Sequence, residues 1–517
     1  MPDEKKIQRI LWIILLLSIL IRSFIACFIE FGNDEVYYWT YAKFPDLSHF
    51  DHPPMIGLII QLFTLNLHID NEFFIRLASV FIGTVNTWLI YLIGRTIRDS
   101  LTGLYAALLF TASFYCFIIS GTFILPDSPQ VLFWLLSLWL LCKSLPDKAH
   151  SKQSRKYMLL AGVTIGLALL SKYHSVFLLS GAFLFMLFYN RKWFIVKETW
   201  LALLIAFLIF SPVILWNFNN HFISFTFQGE RVEPGAHGLR WDYFLTEVTG
   251  QIFYNNPVNF IILLIAMIAL IRRRKIADKE IIRLILLISL PLILIFLVFS
   301  LFRPTLPHWT GPAYLGFILL GAANLREISL KRHAARLFPM GVRIALVFLL
   351  IVAIAGTFQI RYGWIPLERL GMEDPGRQLY GWKQLGEKFS VIAKKDEDKD
   401  VLNVSAPILT FRWFPAANFD YYVAKPLNKN VYAIGDLERL HKYYWINKIR
   451  GPLLKGSNAY SIVLSDDWDD PKALFGKLFN SIRPADTINI YRGKELIRQA
   501  YIFHLLGLKE EMRFPGQ

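Results

Sequence analysis

Cysteine is nearly absent from this 517-residue chain, with three in all, and charged residues are sparse at 18%. Cys27, Cys116 and Cys142 lie in or beside hydrophobic runs. They read as buried thiols, and neither a disulfide framework nor a zinc spacing can be drawn from them. The first apolar run follows Lys5, Lys6 and Arg9, as in a signal peptide, but no small-residue cleavage site follows it, so a retained first helix is expected. No internal repeat or extended low-complexity segment is evident, which removes support from a transporter built of repeated halves. Acid is also short: 39 Asp and Glu against 55 Lys and Arg give a formal charge of +16. The basic excess falls in short clusters between apolar runs, which is the positive-inside pattern and not a nucleic-acid footprint. No nucleic-acid partner is expected.

What the chain has in quantity is apolar surface, at 55% of residues, too much for an ordinary soluble globule. Runs of about spanning length recur at 10–31, 73–94, 101–120, 129–145, 157–171, 174–189, 197–215, 257–271, 283–301, 309–325 and 341–360, eleven in all. The SKYH break between 157–171 and 174–189 leaves an interrupted hairpin as an alternative there. Basic stretches at 95–98, 143–156, 191–197, 272–275 and 326–336 alternate with loops poor in Lys and Arg. That alternation places the N-terminus in the cytoplasm. The expected fold is an α-helical polytopic membrane protein of about eleven spans, residues 1–360, in the inner membrane. From 361 to 517, charged runs such as KKDEDKD and short apolar strands such as SIVLS and INIYR predict a soluble α/β domain, extracytoplasmic by the parity of the spans. Residues 56–67 are apolar but too short to span, and read as an amphipathic helix on the membrane surface. Residues 216–256 form a loop long enough to be functional.

The segment 32–55, GNDEVYYWTYAKFPDLSHFDHPPM, is the most informative. It sets Asp34, Glu35, Asp46, Asp51 and two histidines between two apolar runs. Carboxylates are costly near hydrocarbon and, where kept, usually serve ions, protons or substrate; the plainer role for Asp34 and Glu35 is capping a helix end. Asp127, in FILPDSP, lies on the same outward side. Separated carboxylates at one lipid surface suit a reaction in which a hydroxyl attacks the anomeric carbon of a sugar while a phosphate leaves. A base takes the hydroxyl proton and cations stabilise the departing phosphate. The candidate cations are His52, Lys172 in SKYH, Arg231 in FQGERV and Arg303 in FRPTLPHW. Snorkelling at a helix end is the plainer account of any one of them.

The order of NDEVYYW, FDHPPM, FILPDSP, LLSKY, WNFNNHFISFTFQGER and LPHWTGPAYL resembles that of bacterial integral-membrane glycosyltransferases of the GT-C superfamily, the dolichyl-phosphate-mannose protein mannosyltransferase-like group related to the aminoarabinose transferase of lipid A. The resemblance covers essentially the whole membrane region. It implies a polyprenyl-phosphate sugar donor, inverting transfer to a hydroxyl of an envelope acceptor (lipid A, glycolipid, polysaccharide or protein), and an active site between outward loops and an outward C-terminal domain. It also implies that Asp34 is the acceptor's base, with Glu35 beside it, and that Asp127 is the second acidic position. Asp51 and His52 fall where the lipid A enzyme has Glu and Lys before two prolines, so His52 departs from a lysine associated with donor phosphate. Lys172 matches the Lys of a TK or SK motif, and Arg231 resembles the basic residue of the long middle loop. Gln228 does not reproduce the relative's metal-binding His, which leaves a divalent metal open, with Asp51 as its candidate ligand. Tyr37, Tyr38, Tyr173, His308 and Trp309, from the same motifs, are candidates to line the donor or acceptor site. In the tail, Tyr421, Tyr422, Tyr443, Tyr444 and Trp445 read as core. The rival from another class is a transporter or flippase for a glycolipid, since intramembrane charge also marks transport paths.

Overall fold

The computed structural model describes residues 3–231, 238–331 and 337–514. Fifteen helices come first: α1 Glu4–Phe28, α2 Asn33–Lys43, α3 Met55–Phe63, α4 Glu72–Ile97, α5 Ser100–Ala112, α6 Asp127–Ser144, α7 Lys152–Ser171, α8 Val176–Tyr189, α9 Lys197–Asn219, α10 Ile223–Glu230, α11 Trp241–Tyr254, α12 Pro257–Ile271, α13 Lys279–Phe299, α14 Gly311–Lys331 and α15 Met340–Tyr362. Among the described residues, six helical segments are long and apolar enough to cross a membrane: α1, α4, α9, α13, Pro307–Lys331 and α15. The pair α11 and α12, bent by 98° at its break, makes a seventh if it is one broken span. The expected count of about eleven is therefore not reached by length and composition. Helices α5 and α8 have 13 and 14 residues, about 20 Å of rise each, short of a hydrocarbon core of about 30 Å. Helix α7 starts on Lys152, Arg155 and Lys156, and α6 on Asp127, Ser128 and Gln130. The break at SKYH is real, a 3₁₀ turn at Tyr173–Ser175 between α7 and α8.

The chain divides into two compact units, 1–26 with 45–353, and 27–44 with 354–517. The second thus begins before residue 361 and takes in the segment that carries Asp34, which the sequence reading gave to the membrane domain. Cys116 and Cys142 are buried as expected; Cys27 is exposed.

In the first unit, side chains close the helix ends: Asn71 accepts from Phe74 N–H at α4, Asp99 from Thr102 N–H at α5 and Ser151 from Ser154 N–H at α7. One apolar core joins Leu104 and Phe110 of α5, Trp134 and Leu138 of α6, Ile285 and Ile288 of α13, and Leu315 and Ile318 of α14. Helices α7 and α9 meet where a Cβ at Gly162 would lie 2.3 Å from the Ala202 carbonyl, the close approach that small residues allow between membrane helices. Helix α3, where an amphipathic surface helix was expected, buries Met55, Ile56 and Ile60 and exposes Leu58 and Leu62, so both of its faces are apolar. The 216–256 loop is largely helical, formed by the end of α9 with α10 and α11; its residues 232–237, and residues 332–336 of the last basic stretch, lie outside the described residues.

The second unit carries a five-stranded sheet of order β2-β1-β3-β5-β4, with β1 Ile408–Thr410, β2 Val431–Ala433, β3 Ala459–Leu464, β4 Phe479–Arg492 and β5 Glu495–Leu508. Strand β1 runs parallel to β2 and β3, and β5 is antiparallel to β3 and β4. SIVLS and INIYR fall on β3 and β4 as expected. Helix α2 is built into this unit. Lys43 Nζ pairs with the fully buried Asp420 at 3.2 Å, Phe31 N–H donates to the Tyr422 hydroxyl at 2.7 Å, and Trp382 N–H donates to the Glu30 carboxylate at 2.7 Å. Tyr421, Tyr422 and Tyr443 are core; Tyr444 and Trp445 are half-buried.

Candidate functional site

In the first unit the site is built around Asp127. It opens α6 and is 2% exposed. Lys172, at the C-terminal cap of α7, donates to Asp127 Oδ2 at 2.7 Å, and the Tyr115 hydroxyl donates to Oδ1 at 3.0 Å. Both charged side chains are 3% exposed, so each is the condition for burying the other. Lys172 retains two further N–H donors for an incoming anion. Tyr115 is set by an irregular turn, Tyr115–Ile119, whose Cys116 and Phe117 carbonyls accept from the buried Arg22.

The loop carrying Asp51 and His52 is clamped by α9 and α10. Trp216 Nε1 donates to Asp46 at 2.8 Å, Ser224 Oγ to the His49 carbonyl at 3.0 Å, and Gln228 Nε2 to the Asp51 carbonyl at 2.7 Å. The rings of Phe50 and Phe227 lie 4.5 Å apart. Burial pushes the His52 imidazole down to about 4, with Asp51 opposing and Lys172 and Arg231 reinforcing the shift. His52 is therefore neutral near pH 7; it offers a phosphate a hydrogen bond and not the point charge that a lysine would bring.

Arg231, at the end of α10, lies over the rings of Phe227 and Trp309, at 4.8 and 5.4 Å. Its guanidinium has no carboxylate partner among the described residues. Trp309 and His308 sit on the 3₁₀ turn Pro307–Thr310. His174, one residue beyond Tyr173, packs between Phe296 at 5.1 Å and Trp309 at 5.8 Å. His52, Asp127, Lys172, His174 and His308 lie in one another's fields. Tyr173 packs on Phe210 and Phe225 beside the clamped loop. Arg303 is half-buried, its Nε without a hydrogen-bond partner among the described residues, and no contact ties it to this cluster.

The turn bearing His308 and Trp309 is itself held by α11. The Glu247 carboxylate accepts from Gln251 Nε2 and from Thr305 Oγ1, each at 2.7 Å, and the Tyr314 hydroxyl donates to Gln251 Oε1 at 2.6 Å. A Cβ at Gly250 would lie 2.2 Å from Pro307. Positions 247, 250, 251 and 254 share one helical face, and Tyr254 completes it against the His308 ring at 5.9 Å. Sequence reasoning missed Tyr115, His174, Glu247 and Gln251. The one local signal was His174, inside the SKYH motif itself.

The remaining candidates belong to the second unit. Asp34 is exposed in the first turn of α2, and Glu35 is buried with its carboxylate accepting Gly32 N–H at 3.0 Å, a capping arrangement. Tyr37 and Tyr38 are buried in an aromatic cluster: Tyr37 lies 4.9 Å from the Trp413 ring and 5.6 Å from Tyr38, and its hydroxyl accepts from Lys442 N–H. Among the described residues no group of three or more His, Cys, Asp or Glu side chains is arranged to hold a metal ion. Asp51 is one carboxylate beside His52 in the field of Lys172 and Arg231, a donor set that does not fit a divalent cation.

Known proteins of similar sequence and fold point in one direction. A family model described as dolichyl-phosphate-mannose-protein mannosyltransferase matches residues 51–216, a span that opens on Asp51 and contains both Asp127 and Lys172. The crystal structure of ArnT from Cupriavidus metallidurans superposes with a TM-score of 0.60 at 14% identity, covering 96% of this chain and 98% of that one. A second ArnT structure, bound to undecaprenyl phosphate, gives 0.59 over 95% and 97%. Residues 51–216 thus resemble the mannosyltransferase family, and the chain as a whole has the fold of ArnT. A curated relative, lipid A galacturonosyltransferase RgtD of Rhizobium johnstonii, is 22% identical over 321 residues. That match spans 60% of this chain and 66% of the relative, just under two thirds of its length.

Proposed function

We propose that this protein moves a sugar from a polyprenyl-phosphate-linked donor to a hydroxyl of an envelope acceptor, with inversion at the anomeric carbon, on the outer face of the cytoplasmic membrane. The observation that carries the reading is the cluster of Lys172, His52 and Arg231 around Asp127, with Arg231 lacking a counterion among the described residues. Such a cluster suits a phosphate brought in on a lipid. The acceptor oxygen attacks the anomeric carbon, the bond from that carbon to the phosphate oxygen breaks, and its electron pair leaves with the phosphate. Lys172 and Arg231 neutralise the charge that develops there, His52 contributes a neutral hydrogen bond, and Asp34 takes the acceptor's proton. Asp127 orients Lys172 through their 2.7 Å hydrogen bond.

The relative named for lipid A supports a lipid A-type glycolipid as the acceptor, and the ArnT structure with undecaprenyl phosphate supports a polyprenyl carrier. The test is direct. Purified protein given a lipid-linked sugar should release polyprenyl phosphate only when acceptor is present. Release without acceptor, or none across a broad donor panel with a folded preparation, would overturn the reading.

A further inference from the structure

Away from this site, a slot of about 450 Å³ opens between α6, α7, α8 and α9. Its walls are apolar, with Met158, Gly162, Ala182, Phe183, Phe194 and Trp200 among them. Lining positions on α8 run from Val176 to Met186, roughly 15 Å of helix rise, so the space is elongated and suits a single hydrocarbon chain better than a compact solute.

The mouth is a built turn. Asn190 and Trp193 both donate to the Leu145 carbonyl, Thr199 Oγ1 donates to the Trp193 carbonyl, and Trp200 Nε1 donates to the Phe194 carbonyl. Trp193 is fully buried, while Ile195 and Trp200 stand exposed as an interfacial residue pair would. The same turn carries Arg191, Lys192 and Lys197, all exposed and none in an ion pair among the described residues. Glu198 is the one carboxylate in 190–200. An apolar slot that ends under three uncompensated cations matches an amphiphile with an anionic head.

We propose that this slot binds one anionic phospholipid of the leaflet that faces the basic loops, its acyl chain between α7, α8 and α9 and its phosphate on Arg191, Lys192 and Lys197. Each cation near an anionic head contributes roughly fivefold in affinity, so three give about a hundredfold preference over a zwitterionic lipid.

Native mass spectrometry of the full chain in neutral detergent, with phosphatidylglycerol or phosphatidylcholine added, tests this. Wild type should retain one phosphatidylglycerol about a hundredfold more tightly than phosphatidylcholine. The triple variant Arg191→Gln, Lys192→Gln, Lys197→Gln should lose that preference, and Ser180→Phe, which fills the slot from a half-exposed position, should retain neither lipid. Equal retention of the two lipids by wild type overturns the proposal without recourse to any variant. So does an unchanged phosphatidylglycerol preference in the triple variant, or unchanged binding in Ser180→Phe, once melting in the same detergent shows both to be folded.

Discussion

Removing one member of the Asp127 and Lys172 pair should destabilise the protein more than neutralising both. The Nζ to Oδ2 distance is 2.7 Å and each side chain is 3% exposed. Charges about 4 Å apart at an effective dielectric of about 20 attract by about 4 kcal/mol, and a stranded buried charge costs about 3–5 kcal/mol. Lys172→Met strands the carboxylate with Tyr115 as its donor; Asp127→Asn strands the ammonium. The double variant Lys172→Met with Asp127→Asn strands neither and keeps an acceptor for the Tyr115 hydroxyl, so its cost should fall below that of either single change. The assay is a double-mutant cycle on unfolding from mixed micelles with rising dodecyl sulfate. A coupling at least as large as the costlier single change, about 3–5 kcal/mol, is expected. Additivity within about 0.5 kcal/mol would mean that the two charges are not a buried pair, and the argument that Asp127 holds Lys172 for the phosphate would fail with it.

Arg231→Ala should raise the donor's KM by tenfold or more with a smaller change in kcat, because its guanidinium binds the phosphate in ground and transition states alike; a change confined to kcat would contradict that role. His52, neutral in the folded protein with a value of about 4 against 6.5 when free, makes the unfolded chain bind more protons between those values. Stability should therefore fall as pH drops from about 6.5 towards 4 and level off below, and His52→Gln should flatten that slope in melting scans; an unchanged slope would refute the assignment. Glu35→Gln should cost about 1 kcal/mol of stability through the weakened cap on Gly32 and reduce turnover only mildly, as thermal melting and initial rates would show.

The motifs carrying the site were legible because each is local. FDHPP and PDSP lie where the chain enters α3 and α6, SKYH lies at the break between α7 and α8, and the structure brings them together. What sequence could not show is pairing across long separations. Asp127 and Lys172 are 45 residues apart, and nothing in PDSP or SKYH states that one neutralises the other instead of both meeting substrate. The α11 face that holds the His308 turn is written in Glu247, Gly250, Gln251 and Tyr254, which have the spacing of any amphipathic helix. The grouping of α2 with the second unit was not legible for the same reason. Its position directly after an apolar run suggested the membrane domain, but its partners Asp420 and Trp413 lie hundreds of residues on. The count of about eleven spans is not reached by helix length and composition because hydropathy runs cross helix breaks, as at 101–120, where α5 stops at Ala112 and an irregular turn follows.

The central claim, that a carboxylate on α2 takes the acceptor's proton, is tested most directly by single-turnover transfer with Asp34→Asn beside an equilibrium measurement of donor binding. The substitution keeps shape and removes the base, and a positioned base contributes about 10²–10⁴ in rate. The account predicts a loss of that size with donor affinity within a few-fold of wild type. Near-normal turnover by Asp34→Asn would contradict it.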